Sequence, residues 1–291
     1  MQYNENAKLD PSQVSGGGGG GRRGTTVALG GGGLLVVIIA LLFGINPGDI
    51  LGGGATTTGT DQTGTNPYAQ CTSGADIAKD RDCRFVAYTN SIQAYWAKAY
   101  SGYQQTRTVI FSGQQATACG TATPDIGPFY CPADKIVYLD DSFFDDMLER
   151  QLGAKGGDAA EAYVIAHEYG HHISDLTGVL SKAQASGNST GPKSAQVRLE
   201  LQADCYAGVW LANAAADPNS PIKAITMDDA NRAVDAALAV GDDRIQMRST
   251  GSVSPESWTH GSSAMRQKWL AVGFNSGDPS KCNTFAANAL G

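Results

Sequence analysis

His167, Glu168, His171 and His172 fall within six consecutive positions and include three of the chain's four histidines. In His167-Glu168-Tyr169-Gly170-His171 the outer imidazoles are four residues apart. On an α-helix that spacing puts them about one turn apart on one face, so both reach a single ion. Glu168 is rotated about 100° from His167, which lets it act on water at the ion without ligating it. Imidazole suits a borderline cation such as Zn²⁺, and an open fourth position makes such a site catalytic rather than structural. Zn²⁺ is therefore the expected cofactor.

A catalytic zinc needs a third protein ligand. The metzincin continuation wants Gly and His three and six residues past the second histidine. Ser174 and Thr177 stand there instead, which excludes that class. Asp175 lies one turn beyond His171, but three ligands on one helix converge poorly on an ion. Glu200 is the better candidate. It begins Glu200-Leu201-Gln202-Ala203-Asp204, whose two carboxylates share one helix face. Glu200 completes a His₂Glu set, while Asp204 accepts the free N–H of a ligating imidazole and fixes its orientation. His260, in Thr259-His260-Gly261 ahead of a capped helix, is the favoured donor to an oxyanion, with Tyr163 and Tyr169 as alternatives. His172 points off the metal face and is expected to pack.

Helices must hold these groups. Residues 158–177 read as the clearest one, with Asp158 as N-cap, Glu161 three positions on and Gly178 as stop. A second runs over about 194–216 and a third over about 227–240, with Thr226 as cap and Gly241 as stop. A short one follows Ser262. Upstream, 76–100 and 142–152 read as helices, 109–111 and 136–139 as strands, and Cys119 to Cys131 as a pinned loop or hairpin. The strand at 136–139 is expected to align a substrate backbone. The fold class is α+β, with a small sheet first and helices after.

The chain carries −7 overall. Lys8, Arg22 and Arg23 against Glu5 and Asp10 give residues 1–24 a charge of +1, leaving −8 for the remainder. An acidic domain without a basic stripe excludes nucleic acid as a partner. Eighteen of the 37 glycines fall in residues 1–65, a composition that resists folding. The uncharged stretch 25–45 ends in an apolar run over 34–43 and follows Arg22 and Arg23. Its length and flanks predict one transmembrane helix with the N-terminus inside. A cleaved signal peptide competes but lacks an obvious small-residue cleavage site. The expected organisation is a Gly-rich cytoplasmic tail over 1–24, a transmembrane helix over 25–45, a flexible linker over 46–68 and the chemical domain over 69–291. That domain would lie outside the cell membrane, periplasmic or extracellular, with the leader contributing nothing to the chemistry. All six cysteines follow the apolar run and none forms C-x-x-C, so three disulfides are expected. Cys71–Cys83 and Cys119–Cys131 are each 12 apart, and Cys205–Cys282 follows by elimination.

His-Glu-x-x-His followed by a helix with Glu-x-x-x-Asp is similar to the gluzincin metallopeptidases. More closely, the chain resembles the bacterial membrane-anchored neutral zinc metallopeptidases. The shared features are the Gly-rich leader before one apolar span, Cys119-Gly120, residues 127–132 and 137–140, and His167 to His172. They continue with Leu199 to Gly208, residues 241–244 and Thr259-His260-Gly261-Ser262, so that the likeness runs from about Asp76 to Phe274. The resemblance implies a zincin-like domain and a zinc peptidase acting on peptide or protein. It also implies His167, His171 and Glu200 as ligands and Glu168 as catalytic acid/base. Two rivals stand beside it: a non-enzymatic cell-envelope binding protein, and a zinc amidase acting on peptidoglycan. A structural zinc in the first would want a fourth protein ligand.

Overall fold

The computed structural model describes residues 1–18 and 66–290. The strands among the described residues are β1 (Gln2–Tyr3), β2 (Val14–Gly18), β3 (Thr108–Ser112), β4 (Gln115–Thr117), β5 (Gly120–Ala122), β6 (Phe129–Cys131), β7 (Ile136–Asp140) and β8 (Ile222–Ala224). The α-helices are α1 (Asp82–Ala99), α2 (Asp158–Leu176), α3 (Val179–Ala185), α4 (Ala195–Asn213), α5 (Met227–Ala239), α6 (Asp242–Thr250) and α7 (Ser263–Ser276). A π-helical segment covers Phe143–Gln151. The class is α+β, with a four-stranded sheet in the order β2-β3-β7-β6 and two strand pairs, β1-β8 and β4-β5.

Helix α2 is the central element. Residues 159–174 are all buried, and the small side chains of Ala159, Ala160, Ala162 and Ala166 let neighbours close in on it. Gly170 marks the closest approach: a Cβ there would stand 2.8 Å from Ala203 Cα of α4. Gly208 of α4 and Gly273 of α7 meet the facing helix backbones in the same way, so α2, α4 and α7 stack with little between them. Ser194 caps α4 by accepting from the Val197 amide at 3.1 Å, and Thr226 with Asp229 forms a capping box on α5. The disulfides Cys71–Cys83, Cys119–Cys131 and Cys205–Cys282 are all closed, as expected.

Several elements differ from expectation. The first 18 residues are not a separate tail. Strand β2 pairs in parallel with β3 over five positions, and Leu9 and Val14 are buried in the main core. Glycine there is a packing choice, because a Cβ at Gly17 would stand 3.0 Å from both Phe111 Cβ and Val109 Cγ1. The apolar stretch 25–45 and most of the linker at 46–68 lie outside the described residues, among which no helix is long and apolar enough to cross a membrane. The helix expected over 76–100 is split into a 3₁₀ turn over Gly74–Ala78 and α1, since the Asp80 side chain accepts from the Asp82 amide and starts a new helix. Gly157, at φ 92°, is the N-cap of α2 in place of Asp158, whose carboxylate is taken up by Arg84 and Tyr3. Gly241, expected only as a stop, also opens α6. Finally, β7 is hydrogen-bonded on both sides, by β3 and β6, so it has no free edge for a substrate; β6 is the edge strand.

Candidate metal centre

Helix α2 presents His167 and His171 one turn apart, and the Gly170–Ala203 crossing brings Glu200 of α4 onto them. His167 Nε2 lies 3.1 Å from Glu200 Oε2 and 3.2 Å from His171 Nε2, and His171 Nε2 lies 3.5 Å from Glu200 Oε1. A tetrahedral zinc with bonds of about 2.0–2.1 Å holds its ligand atoms about 3.3–3.4 Å apart. The three donors therefore have the spacing that zinc requires. All three residues are buried. Two imidazole nitrogens facing each other at this distance leave lone pairs that a cation satisfies.

His167 is oriented from behind. Its Nδ1 lies 2.8 Å from Asp204 Oδ1, and because a carboxylate only accepts, Nδ1 carries a proton and Nε2 is the nitrogen left to bind an ion once it gives up its own. Asp204 Oδ1 also accepts from the Tyr163 hydroxyl at 2.6 Å. Arg266 of α7 grips both Asp204 oxygens, Nε to Oδ2 at 2.9 Å and Nη2 to Oδ1 at 2.8 Å. Burial would raise the Asp204 pKa, but Arg266 and His167 bring it down to about 2. Burial likewise works against a charged His167, yet Asp204 and Glu200 lift its pKa to about 9 in the metal-free chain. His171 has no such support: its buried Nδ1 has no hydrogen-bond partner among the described residues.

Glu168 and His260 line the same open pocket as the three donors. Burial raises the Glu168 carboxyl above the usual carboxylate range, with His167 and His171 opposing it and the Tyr130 amide of β6 bonding to it. His260 sits on a loop that Asp242 organises: one oxygen, Oδ2, accepts from the amides of Thr259, His260 and Gly261 at 2.8, 2.7 and 2.9 Å. The His260 Nδ1 is held by Thr259 Oγ1 at 3.0 Å and Asp242 Oδ1 at 3.3 Å, leaving Nε2 for the pocket. Burial depresses the His260 pKa, but Glu200 and Asp242 together raise it. Most of the remaining wall is apolar, including Phe129, Phe143, Met147, Val164 and Ile245, with Tyr130, Tyr163 and Arg266 among it.

Other candidates fall away from this centre. The Tyr169 hydroxyl bonds Thr108 at 3.1 Å under the sheet, outside the pocket lining. Tyr163 lines the pocket, but its hydroxyl is engaged with Asp204 and Arg266. Asp175 accepts from the Tyr130 hydroxyl at 2.8 Å rather than approaching the donors. His172 is held between the Tyr130 hydroxyl at 3.0 Å and the Gln104 carbonyl at 2.7 Å, turned away from the three donors. Arg266 and Asp242 were missed by sequence reasoning. The signal for Asp242 was the Gly241-Asp242-Asp243-Arg244 run, which stood as a motif without an assigned role.

A family model described as "Putative neutral zinc metallopeptidase" matches residues 4–285. The chain belongs to that family. The match spans strand β2 as well as the candidate metal centre. Rv2575 of Mycobacterium tuberculosis, described as an uncharacterized protein, is 49% identical over the full length of both chains. The uncharacterized protein YpfJ of Escherichia coli is 42% identical over 78% of this chain and 81% of its own. No solved structure is a significant match.

Proposed function

We propose that this family member is a zinc-dependent peptidase with a zincin-like domain, and that His167, His171 and Glu200 hold the ion. The observation that carries the reading is the convergence of those three donor atoms at zinc spacing beside a buried carboxylate, Glu168. Zinc bound there would polarise the scissile carbonyl and acidify water. Glu168 takes the proton of the attacking water and passes it to the leaving amine. Burial raises its pKa, which makes it a stronger base for the first half of that task. His260 donates from Nε2 to the carbonyl oxygen as charge develops there, and Asp242 keeps the imidazole aimed. The free edge of β6, which runs past Glu168, is suited to hold an extended peptide by main-chain pairing.

Three disulfides favour an oxidising compartment, so the domain is proposed to work outside the cytoplasm, attached to the membrane through the apolar run 34–43. Metal analysis of the purified chain tests the reading, followed by hydrolysis assays on unfolded protein and on peptidoglycan, each with and without chelator. Stoichiometric zinc with chelator-sensitive cleavage of unfolded protein supports it. Cleavage of peptidoglycan alone favours the amidase, and absence of both metal and cleavage favours a binding protein.

A further inference from the structure

The N-terminal residues are woven into the domain at several separate places. Gln2 and Tyr3 pair with Ala224 and Ile222 of β8. The Tyr3 hydroxyl lies 2.8 Å from both Tyr88 and Asp158, the first residue of the helix that carries the histidines. Asn4 Nδ2 donates to the carbonyls of Pro218 and Ser220 at 3.2 Å each. Asp10 and Asn90 exchange hydrogen bonds of 2.7 and 3.0 Å, and β2 then fills the edge of the sheet beside β3.

The described residues on either side of the stretch 19–65 also meet. Asn66 Nδ2 donates to the carbonyls of Pro11 at 2.8 Å and Val14 at 3.1 Å. A Cβ on Gly16 would stand 2.7 Å from Pro67 Cγ. The segment that ends at Gly18 and the one that begins at Asn66 thus lie side by side.

We infer that residues 1–18 and 66–290 share one side of any membrane the chain touches. A single crossing between Gly18 and Asn66 would separate β2 from β3 by a hydrocarbon layer about 30 Å thick. It would remove every contact above, expose the buried side chains of Leu9 and Val14 and leave the β3 edge unpaired. The basic pair Arg22 and Arg23 argues for a tail held inside, but charge bias orients a span only where the flanks are free to part. Here the flanks are joined by a sheet.

Single cysteines test this in the full-length chain expressed in bacterial cells. All six native cysteines are closed in disulfides, so an introduced thiol reacts alone. Glu5→Cys and Lys8→Cys place it at two exposed tail positions, and Met227→Cys, at a site 74% exposed, reports on the domain. Each is treated with a membrane-impermeant maleimide before and after permeabilisation. The expected result is that both tail positions label in intact cells to the same extent as Met227→Cys. Labelling of all three only after permeabilisation also supports the shared side, while sinking the proposed export. Labelling of Met227→Cys in intact cells, with both tail positions protected until permeabilisation, overturns the inference.

Discussion

Gly170 of α2 lies against Ala203 of α4 so closely that a Cβ on the glycine would stand 2.8 Å from Ala203 Cα. This contact sets the distance between the two helices that share the metal centre. Gly170→Ala should therefore push α4 away and spoil the spacing between Glu200 and the two histidines. Overpacking of this kind costs about 1–3 kcal/mol. Zinc affinity should fall together with the melting temperature, whereas Gly178→Ala, at the helix end with open space around it, should affect stability alone. Unchanged zinc affinity in Gly170→Ala would show that the crossing does not set the site.

Removing the support behind His167 should weaken the metal without removing a ligand. Asp204→Asn and Arg266→Met are each expected to reduce zinc affinity about 10–100-fold, the usual cost of losing such a partner. Arg266→Lys should recover only part of it, since an ammonium does not reproduce a two-point grip on Asp204. Competition with a chromogenic chelator measures these affinities directly. Wild-type affinity in all three variants would exclude this role for the pair.

The metal-free chain should lose stability as pH rises. The His167 pKa goes from an ordinary 6.5 to about 9, so its charged form is favoured by folding. That contribution is complete below about pH 6.5 and is lost as pH climbs through about 9. It amounts to on the order of 3 kcal/mol across the window. Denaturant titrations of chelated protein at pH 6 and pH 9.5 check it, and His167→Ala should flatten the difference.

The N-terminal strands should matter to folding. Val14 is buried against the core, and Val14→Ala is expected to cost roughly 1–3 kcal/mol of stability. A detached tail would give no change in the thermal midpoint.

The candidate metal donors are legible in the sequence because their pattern is local. His167 and His171 are spaced for one helix face, and Glu200 and Asp204 repeat that spacing on the next long helix. The two short cysteine pairs were legible for the same reason. Arg266 was not, because a single arginine beside Gln267 and Lys268 carries no local mark of burial. Its burial follows from Gly208 and Gly273, which let α4 and α7 touch, a relation between residues 65 positions apart. The leader misled for the opposite reason. Its glycines suggest disorder by composition, while β2 is specified by a partner strand some 90 residues away. Composition carries no record of such a pairing.

The most direct test of the central claim is Glu168→Gln, assayed for bound zinc and for hydrolysis of an unfolded protein substrate. The substitution keeps the size of the side chain but removes its capacity to take a proton, so one zinc per chain should remain bound. Hydrolysis should fall by about 10²–10⁴-fold, the range general acid–base groups contribute. Cleavage at the wild-type rate by zinc-loaded Glu168→Gln would contradict the account.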